Sequence, residues 1–172
     1  MKRVESTEGI PLITCINPYS KKYRIRWDII SLGEDEEGRK KVSFYETDII
    51  NKHTLRIQDV KNAILNTINS YVENKILSGF IWNEIPVWLS TENQFNYKAA
   101  YDLTIQSGGD TLPVIFKFGS TENPVYYKFT TVEELSTFYI SAMKFISDTL
   151  LEGWTMKDSI DWSVYNEYFK KK

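Results

Sequence analysis

The chain has 172 residues, a length typical of one domain or two small ones, and 42% of its residues are hydrophobic. Lys and Arg number 21 against 23 Asp and Glu, and this balance removes the general phosphate attraction on which most nucleic-acid-binding proteins depend. One Cys and one His exclude a disulfide framework and a structural zinc site of the Cys/His type. Aromatic residues form 15% of the chain and are its one unusual feature.

The start of the chain carries no recognisable targeting signal. The basic residues Lys2 and Arg3 are not followed by an apolar stretch. No apolar run approaches the roughly 20 residues that a membrane-spanning helix needs. We therefore expect no signal peptide and no membrane partner.

A strand pair and a long helix are predicted first along the chain. Apolar residues alternate from Tyr23 to Ile29 and predict a half-buried strand, and residues 42–47 predict its returning partner. The acidic loop between them, residues 33–41, lacks the alternating ligands of an EF-hand and is interpreted as a solvated hairpin tip.

The helix that follows is predicted to begin with Thr54 as its N-cap and to end at Leu77. Gly79 stands where a left-handed residue commonly terminates a helix. Apolar residues recur at every fourth position and predict one buried stripe. The stripe consists of Val60, Ile64, Ile68, Val72 and Ile76.

Cys15 and His53 are the side chains whose chemistry most often serves catalysis. Cys15 has apolar neighbours, which favours a small core residue over a reactive thiol. His53 has no Ser, Cys or Asp at a recognisable catalytic spacing, so we interpret it as an exposed loop residue.

The second strand pair is predicted within residues 80–90, with a tight turn at Asn83 and Glu84. Thr91 and Gln94 have the spacing of a capping box and predict the start of the next helix. That helix is expected to run to about residue 107, where two glycines follow.

The third strand pair is predicted at residues 112–118 and 125–129. Thr131 and Glu134 form the clearest capping box of the chain and predict a long helix that ends at Gly153. Its buried face is expected to contain Val132, Leu135, Tyr139, Ala142, Met143, Ile146 and Leu150.

These patterns predict an α+β fold of three successive β-hairpin-then-helix units, with an antiparallel sheet packed against two or three helices. Aromatic residues at helical spacing within residues 162–169 predict a short C-terminal helix with a frayed tail. We expect residues 1–53 to form N-terminal strands and a hairpin and residues 54–172 to form the remainder, or the whole chain to be one continuous domain. One core is expected to include Trp27, Trp88, Leu135, Tyr139 and Ile146.

No catalytic, cofactor-binding or metal-binding constellation emerges, since the motifs of hydrolases, zinc proteases and phosphate loops are all missing from the sequence. The candidate partner-binding residues are aromatic side chains on predicted strands, because outward rings bind proteins or sugars. They are Trp82, Trp88, Tyr126 and Tyr127. The alternative is that strand aromatics fill the core. Tyr126 and Tyr127 are adjacent, so one of the two should be exposed.

Several separate motifs stand in a fixed order along the second half of the chain. They are residues 79–83, 87–90, Asn93-Gln94, Asn96-Tyr97, 112–114, 116–117, Gly153-Trp154 and Lys157. Together they resemble an uncharacterised domain found in tailed-bacteriophage and prophage proteins, over about residues 76–162. That family's turn has Gly where this chain has Glu84. The segment of residues 9–28 looks like the front end of such proteins in prophages of gut anaerobes.

The resemblance implies a non-enzymatic structural or assembly protein, either a tail-associated component or a fibre-assembly chaperone. It implies no catalytic residues and no cofactor. The partners would be other phage structural proteins or further copies of the chain, in the virion or in the host cytoplasm during assembly. The ring content leaves open a carbohydrate- or surface-binding module, and a concealed enzyme is a third hypothesis.

Overall fold

The computed structural model describes residues 1–170, which form two units. One, here called the sheet unit, contains Met1–Tyr71 and the described residues from Gly153 onward. The other, the hairpin unit, is Val72–Glu152. The division falls inside two long helices. The end of the predicted frayed tail, residues 171–172, lies outside the described part of the chain.

The sheet unit is built on a four-stranded antiparallel sheet in the order β1-β4-β3-β2. The predicted pairing of the strands around Trp27 and Phe44 is confirmed, as is the short C-terminal helix. The elements that contribute to this unit are β1 (Val4–Thr7), β2 (Ile13–Asn17), β3 (Lys22–Glu34), β4 (Lys40–Ile50), the first part of α1 (Ile57–Ser78), the last part of α3 (Val132–Asp158) and α4 (Ser163–Lys170).

The hairpin unit contains two separate two-stranded antiparallel sheets and the remaining helical segments. Together with the sheet unit it completes the predicted α+β fold of three hairpin-then-helix repeats and a short last helix. The β-strands, however, form three sheets and not one. The elements confined to this unit are β5 (Phe80–Trp82), β6 (Ile85–Val87), α2 (Thr91–Gln106), β7 (Val114–Gly119) and β8 (Pro124–Phe129).

Helix α1 presents the predicted apolar stripe, but it begins three residues later than Thr54. Val60, Ile64 and Ile68 are completely buried. The carboxylate of Asp59, in the first turn, accepts a hydrogen bond of 2.9 Å from the backbone N–H of Arg56, the residue before the helix, and so anchors the start of α1 in place of Thr54.

Strand β3 departs from its predicted alternation immediately after Trp27. Asp28 has a φ of +53°, and the pairing with β4 shifts between Trp27 and Ile30, which marks a β-bulge. Ile29 and Ile30 are consequently both exposed. The expected burial of Cys15 is also wrong, because its strand lies at the sheet edge and only Ile13 within it is buried.

The hairpin unit has an aromatic core centred on Phe138 of α3, a residue that the sequence analysis did not select. Its ring lies within about 6 Å of six other aromatic rings, for example 5.0 Å from Phe129 and 5.1 Å from Tyr97. The expected single core is therefore wrong: Leu135 belongs to this cluster, Trp27 belongs to the sheet unit, and Trp88 is half exposed. The cluster comprises Phe80, Val87, Leu89, Tyr97, Phe118, Phe129, Leu135, Phe138 and Ala142, with Tyr139 and Ile146 packed against it.

The ends of three helices also differ from their predicted positions. Gly79 follows α1 without adopting a left-handed conformation. Glycine fits this position because a Cβ here would lie only 2.5 Å from the carbonyl oxygen of Lys75. Ser90, and not Thr91, caps α2, with its hydroxyl accepting a 3.3 Å bond from the N–H of Asn93. Gly153 is buried inside α3, which continues for five further residues to Asp158.

One face of the β3–β4 hairpin carries a ladder of opposite charges. Arg24 and Asp48 are direct cross-strand partners, as are Arg26 and Glu46. Nitrogen–oxygen distances within the ladder are 2.8 Å for Arg24–Asp48 and 3.3 Å for Arg26–Glu46. The hydrogen bond from Arg24, together with that from Lys22, lowers the pKa of Asp48 to about 2 despite the opposing effect of desolvation.

Candidate functional site

The β7–β8 hairpin directs four of its rings inward and a mixed set of side chains, Tyr126 among them, outward. Side chains alternate between the two faces of a strand, so Phe116 and Phe118 of β7 pack into the aromatic core with Tyr127 and Phe129 of β8. The residues between them point outward. This outer hairpin face consists of Ile115, Lys117, Tyr126 and Lys128, all of them exposed.

Trp88 is exposed because the residues on both sides of it are buried. Val87 and Leu89 have exposed fractions of 1% and 0%, whereas Trp88 keeps 51% of its surface exposed. Its backbone is held in place, since its carbonyl oxygen accepts a 2.8 Å hydrogen bond from Asn93 Nδ2 and the N–H of Leu89 donates to Leu77. The ring is therefore presented from a fixed backbone, which lowers the entropy lost when it binds a partner.

A groove of about 560 Å³ connects Trp88 with the outer hairpin face. Lys117 forms part of its wall and is the direct cross-strand partner of Tyr126, whose side chain is 69% exposed. Trp88, Lys117 and Tyr126 are thus parts of one continuous surface. The groove is lined by Ser78, Pro86, Val87, Trp88, Lys117, Phe118, Gly119, Ser120 and Thr121.

Trp82 and Tyr127, the other two candidate partner-binding residues, contact the interior of the unit. The ring of Trp82 lies 5.4 Å from that of Phe138 in an edge-to-face arrangement. The hydroxyl of Tyr127 donates a 2.8 Å hydrogen bond to Glu134 Oε1 and accepts one of 2.6 Å from Asn83 Nδ2. The expectation that one of Tyr126 and Tyr127 is exposed is confirmed, and Tyr126 is the exposed one.

The β5–β6 turn has the tight form that its sequence predicts, with Asn83 and Glu84 at its two central positions. Asn83 and Glu84 have φ values of +46° and +65°, the signs that a type I′ turn requires at both positions. The turn places Asn83 beside Tyr127. Ile81 and Pro86 pair across this short hairpin, and the side chain of Ile81 is 62% exposed.

The residues considered for catalysis or for metal binding belong to the sheet unit. His53 is exposed, as predicted, and its Nδ1 lies 2.9 Å from the carbonyl oxygen of Thr54. In the acidic hairpin tip, Arg39 hydrogen-bonds Asp35, through both its backbone and its side chain, and this lowers the pKa of that carboxyl. Within residues 1–170 there is no group of three or more His, Cys, Asp and Glu side chains arranged to hold a metal ion.

Comparisons of the chain with protein-family models, with curated proteins and with solved structures found no match. None of the helices within residues 1–170 combines the length and the apolar character that a membrane crossing requires.

Trp88 and Tyr126 were predicted from the sequence because they are aromatic residues on predicted strands. The lysines and isoleucines that share their face were not predicted. A usable signal was present, because Ile115 and Lys117 alternate with Phe116 and Phe118 in the printed sequence. The groove had no such signal, since residues 78, 86–88 and 117–121 come from three separated segments.

Proposed function

We propose that the chain is a non-enzymatic structural or assembly protein of a tailed phage or prophage, as a tail-associated component or a fibre-assembly chaperone. The resemblance over residues 76–162 supports this class. The observation that carries the binding role is the continuous surface of Trp88, Lys117 and Tyr126, which presents two exposed rings on hydrogen-bonded backbone. Exposed Trp and Tyr are the residues most enriched in protein–protein hot spots.

In this proposal the partner is another phage structural protein or a further copy of the chain, met in the host cytoplasm during assembly or in the virion. Neither Cys15 nor His53 takes part, since both lie in the sheet unit and away from the rings in sequence. The role requires no cofactor, because contact between surfaces alone performs it.

The proposal is tested by incorporation into particles, or into assembly complexes, of the phage that encodes the chain. Tyr126→Ala should weaken partner binding by about thirtyfold, which corresponds to about 2 kcal/mol, with the thermal midpoint nearly unchanged. His53→Ala and Cys15→Ser should bind normally. The proposal is wrong if folded His53→Ala protein loses its activity while the Tyr126 and Trp88 variants behave like the wild type.

A carbohydrate- or surface-binding module is the second candidate. It is favoured by the position of Trp88 beside a groove whose wall carries the hydroxyls of Ser78, Ser120 and Thr121. A glycan array separates the two candidates. Binding of one glycan class, abolished by Trp88→Ala, would support the module and count against the assembly role.

A further inference from the structure

The lysines of the hairpin unit fall into two groups. Residues 72–152 contain five lysines and no arginine. Three of the five pair with carboxylates: Lys75 with Glu152 at 2.5 Å, Lys98 with Asp102 at 2.6 Å and Lys144 with Asp148 at 2.9 Å. The other two, Lys117 and Lys128, form no ion pair with any residue that the structure describes.

Both unpaired lysines belong to the outer hairpin face. Lys117 stands opposite Tyr126, and Lys128 stands opposite Ile115, so each has an uncharged cross-strand partner. The acidic residue of this hairpin is Glu122 at its tip, which pairs with neither lysine. The two ammonium groups therefore stand next to exposed apolar side chains without a local counter-charge.

The charge of the whole unit makes this arrangement more unusual. Five lysines and ten carboxylates leave residues 72–152 with a net charge of −5. An acidic partner would be repelled by most of this surface and attracted only where Lys117 and Lys128 lie. Such a contrast fixes the orientation of a complex more strongly than uniform attraction does.

We propose that the binding partner contributes an acidic segment to this surface: a bulky apolar side chain enters the groove beside Trp88, and flanking carboxylates pair with Lys117 and Lys128. The inference rests on the proposed function, in that the occupant is a protein segment. The groove volume of about 560 Å³ lies within the common range for binding pockets, about 300–1,000 Å³.

Two features favour a peptide over an anionic polysaccharide. Ile81 and Ile115 are 62% and 56% exposed, and aliphatic side chains of this kind contribute to protein interfaces more than to sugar stacking. The groove lining contains no Asp, Glu, Asn or Gln side chain to hydrogen-bond ring hydroxyls in pairs.

The test uses the full chain and three sets of short synthetic peptides that share a central Trp or Leu. The flanking residues are Asp and Glu in the first set, Ser and Gln in the second, and Lys and Arg in the third. Polygalacturonate serves as the anionic polysaccharide. Affinities are measured by fluorescence anisotropy for the peptides and by calorimetry for the polysaccharide, each at low and at physiological salt.

We expect the acidic set to bind most tightly and to weaken as salt rises, because exposed charges are screened. The double variant Lys117→Ser/Lys128→Ser should bind these peptides about tenfold less tightly. The matched variant Lys98→Ser/Lys144→Ser removes two lysines from the same unit and should bind as the wild type does. All variants should keep the wild-type thermal midpoint to within a few degrees.

Equal binding of the acidic and neutral sets would overturn the inference, as would tight binding of polygalacturonate without binding of acidic peptides. The proposed assembly role is tested by a separate measurement, the incorporation of the variants into particles. Loss of particle incorporation in Trp88→Ala or Tyr126→Ala protein, with normal incorporation of the double lysine variant, would retain the assembly role and refute the acidic segment. Normal incorporation of both ring variants would refute the assembly role itself.

Discussion

The β3–β4 and β7–β8 hairpins have the same topology and opposite surface chemistry. On β3–β4 the outward residues Arg24 and Asp48 neutralise each other across the strands. On β7–β8 the outward residues Lys117 and Tyr126 leave a charge and a ring exposed side by side. The charges of the β3–β4 ladder are neutralised within that hairpin. The unpaired lysines of β7–β8 lie among apolar groups, where a carboxylate of another molecule can pair with them. The comparison indicates which face of the chain is available for binding.

The inward side of the β7–β8 hairpin packs into the aromatic core of the hairpin unit. Removing the central ring of that core, Phe138, tests how much stability the core supplies. Phe138→Ala should lower the free energy of unfolding by about 4 kcal/mol, because it removes a fully buried ring and leaves a cavity. Phe95→Ala is the matched control, since the ring of Phe95 is 71% exposed, and it should change stability by less than about 0.5 kcal/mol. Urea titration measures both. Similar losses in the two variants would contradict the assignment of Phe138 to the centre of the core.

Adjacent tyrosines on β8 sharpen the contrast between the two sides of one hairpin. Tyr127→Phe should cost about 1–2 kcal/mol, because the carboxylate of Glu134 and the amide of Asn83 both lose their hydrogen-bond partner. Tyr126→Phe should leave stability unchanged. Thermal melts of both variants, run with wild-type protein, provide the measurement. A neutral Tyr127→Phe would mean that the hydroxyl does not link the β5–β6 turn to α3.

The charged ladder of β3–β4 predicts a pH effect that belongs to the sheet unit. The pKa of Asp48 is lowered from 3.8 to about 2 in the folded chain, so its contribution is complete above about pH 4 and is lost as the pH falls through 2. Asp48→Asn should cost about 1 kcal/mol at neutral pH, a value limited by solvent screening of a side chain that is 27% exposed.

The same variant should differ less from the wild type near pH 2 than at neutral pH, because about half of the wild-type carboxyl is then protonated. Asp110→Asn removes a carboxylate that forms no ion pair with residues 1–170 and should change stability by less than about 0.5 kcal/mol. Denaturation at pH 2.5 and pH 6 checks both expectations. An equal loss for Asp48→Asn at the two pH values would contradict the role of the Arg24 ion pair.

Periodicity predicted much of the fold from the chain alone. Alternation located both long hairpins, and the four-residue spacing of α1 located its buried stripe, because burial on one side imposes a period on the chemistry. The capping contact of Thr131 was also predictable, and its hydroxyl accepts a 3.2 Å bond from the N–H of Glu134. These are local relationships, in which residues a few positions apart determine one another's structure.

Helix ends and bulges were less predictable because competing local contacts decide them. Asp59 replaced Thr54 in the cap of α1, and the bulge at Asp28 reversed the expected face of Ile29. At Gly153 no terminating conformation was adopted, since α3 continues and the glycine is buried. A glycine permits a helix to end, but burial can make its continuation more favourable.

Hairpins, helices and strands rich in aromatic rings could be predicted from the order of the residues alone. Which of those rings are exposed depends on the packing of the folded chain. The ring of Trp82 packs against that of Phe138, and the hydroxyl of Tyr127 donates a hydrogen bond to Glu134. Trp88 and Tyr126 remain exposed. The physical reason is that exposure depends on what covers a strand. Trp82 is covered by Phe138 of α3, and the groove wall beside Trp88 includes residues 117–121, in both cases segments distant in sequence.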